Sequence, residues 1–204
     1  MKKKNLIIIS IIIIILVFGG LWYFFGLENN DNNPADNLNQ LAVDYPGLSA
    51  EIADVEKWQE ELKNDPERVE TYTTLGIVLK TLADKACDLE VPDCKDFYQA
   101  ALDNYEDAIA LTNRSNTLFM VNAASMAKYL GRYEVAEEYY KEAISVSPGD
   151  YSYYVSLAEL YEYRMNKSQE DILAVYDEGI TRVINPDILE DYKNDYLERV
   201  NNGQ

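Results

Sequence analysis

The side chains best placed for covalent chemistry are two thiols, Cys87 and Cys94, in the stretch DKACDLEVPDCKD over 84–96. A reactive dithiol wants the closer C-x-x-C spacing beside a cation or helix terminus. These thiols stand seven apart among aspartates and glutamates. A zinc site would need two further ligands, and the chain has no histidine. In an oxidising compartment the two are expected to form a disulfide; free thiols are the alternative. So short a loop stabilises by only about 2 kcal/mol in the chain-entropy picture.

Without histidine there is no imidazole base and no Ser-His or Cys-His pair. Carboxylates are plentiful, as in Glu137-Glu138 and Glu159 with Glu162. Acids in runs on helices ordinarily form a solvated face. No glycine-rich phosphate loop or D-x-D-x-D-G calcium loop occurs, and Gly19-Gly20 lies within an apolar run. The chain is therefore expected to be no enzyme and to carry no cofactor or metal. Its 36 acids against 18 bases give a net charge of −18. That balance repels nucleic acid and anionic headgroups, and leaves a protein or peptide partner, basic if charge drives the contact. Solubility alone would also account for it.

Helices must position whatever surface does the work. In GRYEVAEEYYKEAISVSP, over 131–148, Ala136, Tyr140 and Ala143 share one helical face, and Pro148 ends the run. Ala101, Tyr105 and Ala108 repeat the pattern upstream, and Ile172, Tyr176 and Gly179 repeat it downstream. Between them lie partner stripes: Tyr72, Leu75, Gly76 and Leu79; Met120, Ala123, Ala124 and Ala127; Tyr154, Leu157, Ala158 and Tyr161. This recurring W/Y-x₂-L-G/A-x₂-Y and A-x₃-F/Y-x₂-A pairing over roughly residues 50–204 resembles the tetratricopeptide repeat family. The resemblance implies an all-α, right-handed α-solenoid of about three helix pairs plus capping helices.

Ahead of the repeats, residues 1–5 form a basic head, and 6–25 are apolar apart from Ser10. About 20 such residues span a bilayer, and the cluster Trp22-Tyr23-Phe24-Phe25 suits its interface. Lysines before the span predict a cytoplasmic N-terminus and an extracytoplasmic remainder. A cleaved signal peptide is the competing reading, disfavoured by the long run and the lack of a small-x-small cleavage site. Residues 26–48 are rich in Asn and Asp and read as a flexible tether, although Leu38, Leu41 and Val43 could pack on the first helix. The repeat domain takes 49–204, with an insertion at 84–96. Ser49 is expected to cap a half-pair bearing Ile52, Val55, Trp58 and Leu62. Ile188, Tyr192, Tyr196 and Val200 are expected to line the buried face of a closing helix.

In tetratricopeptide arrays the first helix of each pair lines a concave groove that takes peptides. The resemblance makes Thr73, Ile77, Lys80, Val121, Ser125, Lys128, Val155, Glu159 and Tyr163 the groove candidates, with Tyr151 as a further amphipathic contact. The Lys/Arg/Asn carboxylate clamp of the chaperone-binding members is not matched: Asn122 fits part of it, but Ser152 and Ser156 stand where cations belong. The expected function is a membrane-anchored extracytoplasmic scaffold in a cell-envelope complex (assembly, secretion or quality control). A wall- or glycan-binding module using exposed tyrosines is the alternative. Asn113-Arg114-Ser115 and Asn166-Lys167-Ser168 match the glycosylation pattern, a weak signal alone.

Overall fold

The computed structural model describes residues 38–203. The basic head, the apolar span at 6–25 and the first part of the tether lie outside the described residues. Among the described residues there are nine α-helices, no strand, and no helix long and apolar enough to cross a membrane. They are α1 (Leu38–Asp44), α2 (Ser49–Asn64), α3 (Val69–Asp88), α4 (Lys95–Leu111), α5 (Thr117–Tyr129), α6 (Tyr133–Val146), α7 (Tyr151–Leu160), α8 (Gln169–Ile180) and α9 (Pro186–Asn201). Helices α3/α4, α5/α6 and α7/α8 form the three hairpin pairs, and each helix from α2 to α9 packs chiefly on its chain neighbours.

Local chemistry sets many of the boundaries. Asn116 accepts from the Leu118 amide at 3.0 Å to start α5, and Asp150 accepts from the Ser152 amide at 2.9 Å to start α7. Ser168 and Asp171 exchange both bonds of a capping box at the head of α8. Ser49 departs from the expectation: it is already helical, and its hydroxyl donates to the Pro46 carbonyl at 2.9 Å, closing a 3₁₀ turn over Pro46–Leu48.

The paired stripes bury as their spacing dictates. Tyr105, Tyr140 and Tyr176 of the outer helices are 2%, 2% and 1% exposed. The core forms two clusters, one reaching from Leu38 to Phe119 and Met126, the other from Ala124 to Tyr196. Val121, Tyr139 and Tyr153 pack against both and join them. Thr71 and Asn104 are the polar exceptions among the described residues: Asn104 is buried in α4, and its amide donates to the Tyr72 backbone carbonyl at 2.7 Å. Asn104→Ala removes that cross-helix bond and opens a small void. It is expected to cost about 1–3 kcal/mol, checked by urea unfolding.

Two expectations are corrected. The tether does not extend to residue 48, because α1 and the 3₁₀ turn are folded onto the domain. Leu38 and Leu48 are buried and Leu41 half-buried, whereas Val43 points to solvent. The insertion at 84–96 lengthens both helices of the first pair: α3 runs on to Asp88 and α4 starts at Lys95. The closing helix α9 buries Leu189 and Tyr196, while Tyr192 and Val200 are 41% and 40% exposed. A row of strict four-residue steps winds some 40° round the helix per step and leaves the buried face. Positions seven apart stay on it.

Candidate functional site

The candidate surface is formed by α3, α5 and α7, the first helix of each pair. Ile77 is 53% exposed and Tyr163 is 58% exposed. Glu159 is exposed, and Ser125 and Lys128 are half-buried. Thr73 is half-buried, with its hydroxyl directed to the Val69 carbonyl of its own helix. Val121 is half-buried because it packs into the joint between the two core clusters.

Val155 is 8% exposed and belongs to the core cluster that also holds Leu189 and Tyr196, so it offers a groove ligand little surface. Tyr151, at the first turn of α7, is 39% exposed and lies at the edge. Some 12 residues, roughly 18 Å of helix, separate it from Tyr163, so the two do not make a paired aromatic platform.

The floor between the inner helices is built from hydroxyls. The Tyr140 phenol of α6 lies near Ser125 of α5 and Ser156 of α7. Burial raises its pKa, and the two serines partly offset that. Tyr153 of α7 donates to Thr117 of α5 at 2.9 Å. Burial likewise holds the Tyr105 phenol up at about 12.

At the opposite end of the inner helices the extended first pair makes a lock that the sequence did not disclose. The Tyr98 and Tyr129 rings stack with centroids 4.7 Å apart and planes 6° from parallel. The Tyr98 hydroxyl donates to Asp84 at 2.6 Å, and Lys80 donates to the same carboxylate at 2.6 Å while lying over the Tyr129 ring. Lys80, a groove candidate, is thus already engaged. The four-residue step from Lys80 to Asp84 was a legible ion-pair signal; the ring stack joins residues 31 apart and had none.

Burial pushes the Asp84 carboxyl up, but Lys80 and Tyr98 together hold it below its ordinary 3.8. A lowered native pKa contributes stability that is complete above the unfolded value and lost as pH falls through the folded one. The lock is therefore expected to loosen below about pH 4, seen as faster amide exchange near Asp84 than in α6.

The π-helical turn Tyr161–Met165 ends the third inner helix. It directs Glu162 to the Arg199 guanidinium of α9, with both carboxylate oxygens accepting, at 2.9 and 3.2 Å. It also places the Tyr161 hydroxyl 2.7 Å from Glu137.

Charge divides sharply between the two helix sets. The outer helices α4, α6 and α8 carry twelve acids against Lys95 and Lys141. The inner helices carry Glu70, Asp84, Asp88 and Glu159 against Lys80, Lys85 and Lys128, and α5 has no acid at all. Within the three pairs the acidity is thus concentrated on the outer helices.

No family model and no curated protein sequence matches the chain. Solved structures do. A thermophilic TPR protein of Thermus thermophilus, TTC0263, superposes with a TM-score of 0.55 at 21% identity, over 89% of this chain and 96% of that one. MamA gives 0.51 at 22% identity over 74% of each chain, and a MamA RS-1 double mutant gives 0.52 at 15% identity over 95% and 98%. At these identities the likeness shows the fold: a tetratricopeptide-like solenoid.

Proposed function

We propose that this chain is a membrane-anchored, extracytoplasmic scaffold that holds a segment of another protein against its inner helices, as part of a cell-envelope complex. The observation that carries it is the composition of that inner surface. Exposed Ile77 and Tyr163 flank a hydroxyl-rich floor with almost balanced charge. Hydroxyls and a few exposed apolar groups suit a peptide backbone and short apolar side chains. The basic partner suggested by net charge suits the outer helices better than the groove, so the groove segment is proposed to be uncharged and amphipathic. The anchor rests on the apolar run at 6–25 and its preceding lysines.

Photo-cross-linking residues placed at Ile77 and Tyr163, and at Glu138 on the outer face, test the reading in intact cells. A shared adduct from both inner positions, absent from the outer one and lost in Ile77→Asp, is expected. Equal capture at Glu138, or none at the inner positions, overturns it. Protease added to intact cells should digest the repeat domain; full protection would remove the extracytoplasmic assignment.

A further inference from the structure

The tip of the lengthened first pair is also where the chain enters the domain. Helix α2 runs antiparallel to α3, so its start at Ser49 lies beside the far end of α3, and Glu51 is ion-paired with Lys85 there. The 3₁₀ turn over Pro46–Leu48 packs on α3, and Gly47 faces Leu89 with room for a methyl at 3.8 Å. Leu48, Ala86 and Val91 are buried in the same cluster, at 0%, 0% and 5% exposure. Val91 is placed by the bond from its amide to the Ala86 carbonyl at 2.9 Å. That connection, Leu89–Cys94, includes left-handed Glu90 and Asp93, and it is closed by a Cys87–Cys94 disulfide.

We propose that this disulfide is a redox-sensitive latch for the chain's own entry segment, residues 38–48. The connection over 89–94 is short and holds two left-handed non-glycine residues, a conformation an open chain populates sparsely. Joining Cys87 to Cys94 limits the alternatives and keeps Leu89 and Val91 in place. The entry segment depends on that platform. At seven residues α1 is too short to persist alone, and its neighbour, the 3₁₀ turn, packs directly on α3.

Opening needs a dithiol reductant. One of its thiolates attacks a cysteine sulfur, forming a mixed disulfide and releasing the other cysteine as a thiolate. Its second thiol then resolves the intermediate. The reductant leaves as a disulfide, and two electrons and two protons remain on Cys87 and Cys94. Both cysteines are half-buried.

The consequence for reach rests on the anchor proposed above. With 38–48 docked, the chain from Gly26 to Asn37 can extend at most about 40 Å from the bilayer; with the segment released, the limit rises to about 80 Å.

Hydrogen exchange on the full chain in lipid nanodiscs, with and without a dithiol reductant, tests the latch. A Cys87→Ser/Cys94→Ser variant runs in parallel. Reduction and the double substitution are each expected to speed exchange of the 41–48 amides at least tenfold while α6 and α8 stay unchanged. Unchanged exchange at 41–48 after mass spectrometry shows both thiols free would overturn the proposal. So would uniform acceleration of the whole domain, or free thiols in air-oxidised protein. A chain that fails to enter nanodiscs would sink the anchor reading, while the same exchange contrast in detergent-free buffer would still decide the latch.

Discussion

Gly76→Ala is expected to destabilise the folded domain by about 2–3 kcal/mol, lowering its Tm by roughly 5–10 °C in a circular-dichroism melt. Gly76 lies on the buried face of α3, where the Tyr105 ring of α4 lies flush against the backbone. A Cβ added there would sit 2.3 Å from Cζ and 2.6 Å from both Cε1 and the hydroxyl oxygen. The ring is 2% exposed and held among Ala101, Ala108 and Phe119, so it cannot swing away without disturbing its neighbours. Ala124 and Ala158 occupy the matching frame positions of the other pairs with a methyl in place, so the first pair is packed more tightly at this point. Adding Tyr105→Leu to the Gly76→Ala background is expected to recover part of the loss. Gly149→Ala, facing open space, should leave the melt unchanged. A full-stability Gly76→Ala domain would show that α3 and α4 do not approach as described. Gly179 is a second such contact, with Leu189 Cδ1 and Tyr154 Cγ at 2.5 and 2.8 Å from its would-be Cβ.

Tyr140→Ala should be costlier, about 4 kcal/mol by urea unfolding, because it removes a ring from the middle of the stack. Tyr140 packs in α6 between the alanines of its own stripe, and its phenol lies near serines of two different inner helices. The vacated space lies where one hairpin hands its apolar seam to the next. Tyr140→Phe keeps the ring and removes only the hydroxyl, so about 1 kcal/mol is expected. Similar losses for the two variants would mean that the hydroxyl, and not the ring, holds the joint. A loss for Tyr140→Ala below that of an exposed control such as Tyr163→Ala would contradict the burial itself.

These two residues illustrate what was legible. Gly76 and Tyr140 belong to stripes whose three- and four-residue steps are local properties of a helix, and such steps reveal an apolar face wherever the helix ends up. The alternation of stripes was therefore sufficient to expect helical hairpins, their number and the tetratricopeptide-like stacking. The absence of histidine and of phosphate or calcium loops likewise narrowed the chemistry before any geometry existed.

Tertiary structure alone decided which neighbour covers each face. Val155 has the spacing of a groove residue, yet it is buried in the second core cluster. Tyr98 and Tyr129 stack only because the insertion lengthens α3 and α4 past the end of α5, a distance no repeat period encodes. The entry segment looked too polar to order itself, and it does not do so alone: the hairpin tip supplies the apolar partner for Leu48. Periodicity reports how a helix is divided between apolar and polar sides. The partner and the depth of burial depend on contacts between residues tens of positions apart, and those exist only once the hairpins have packed.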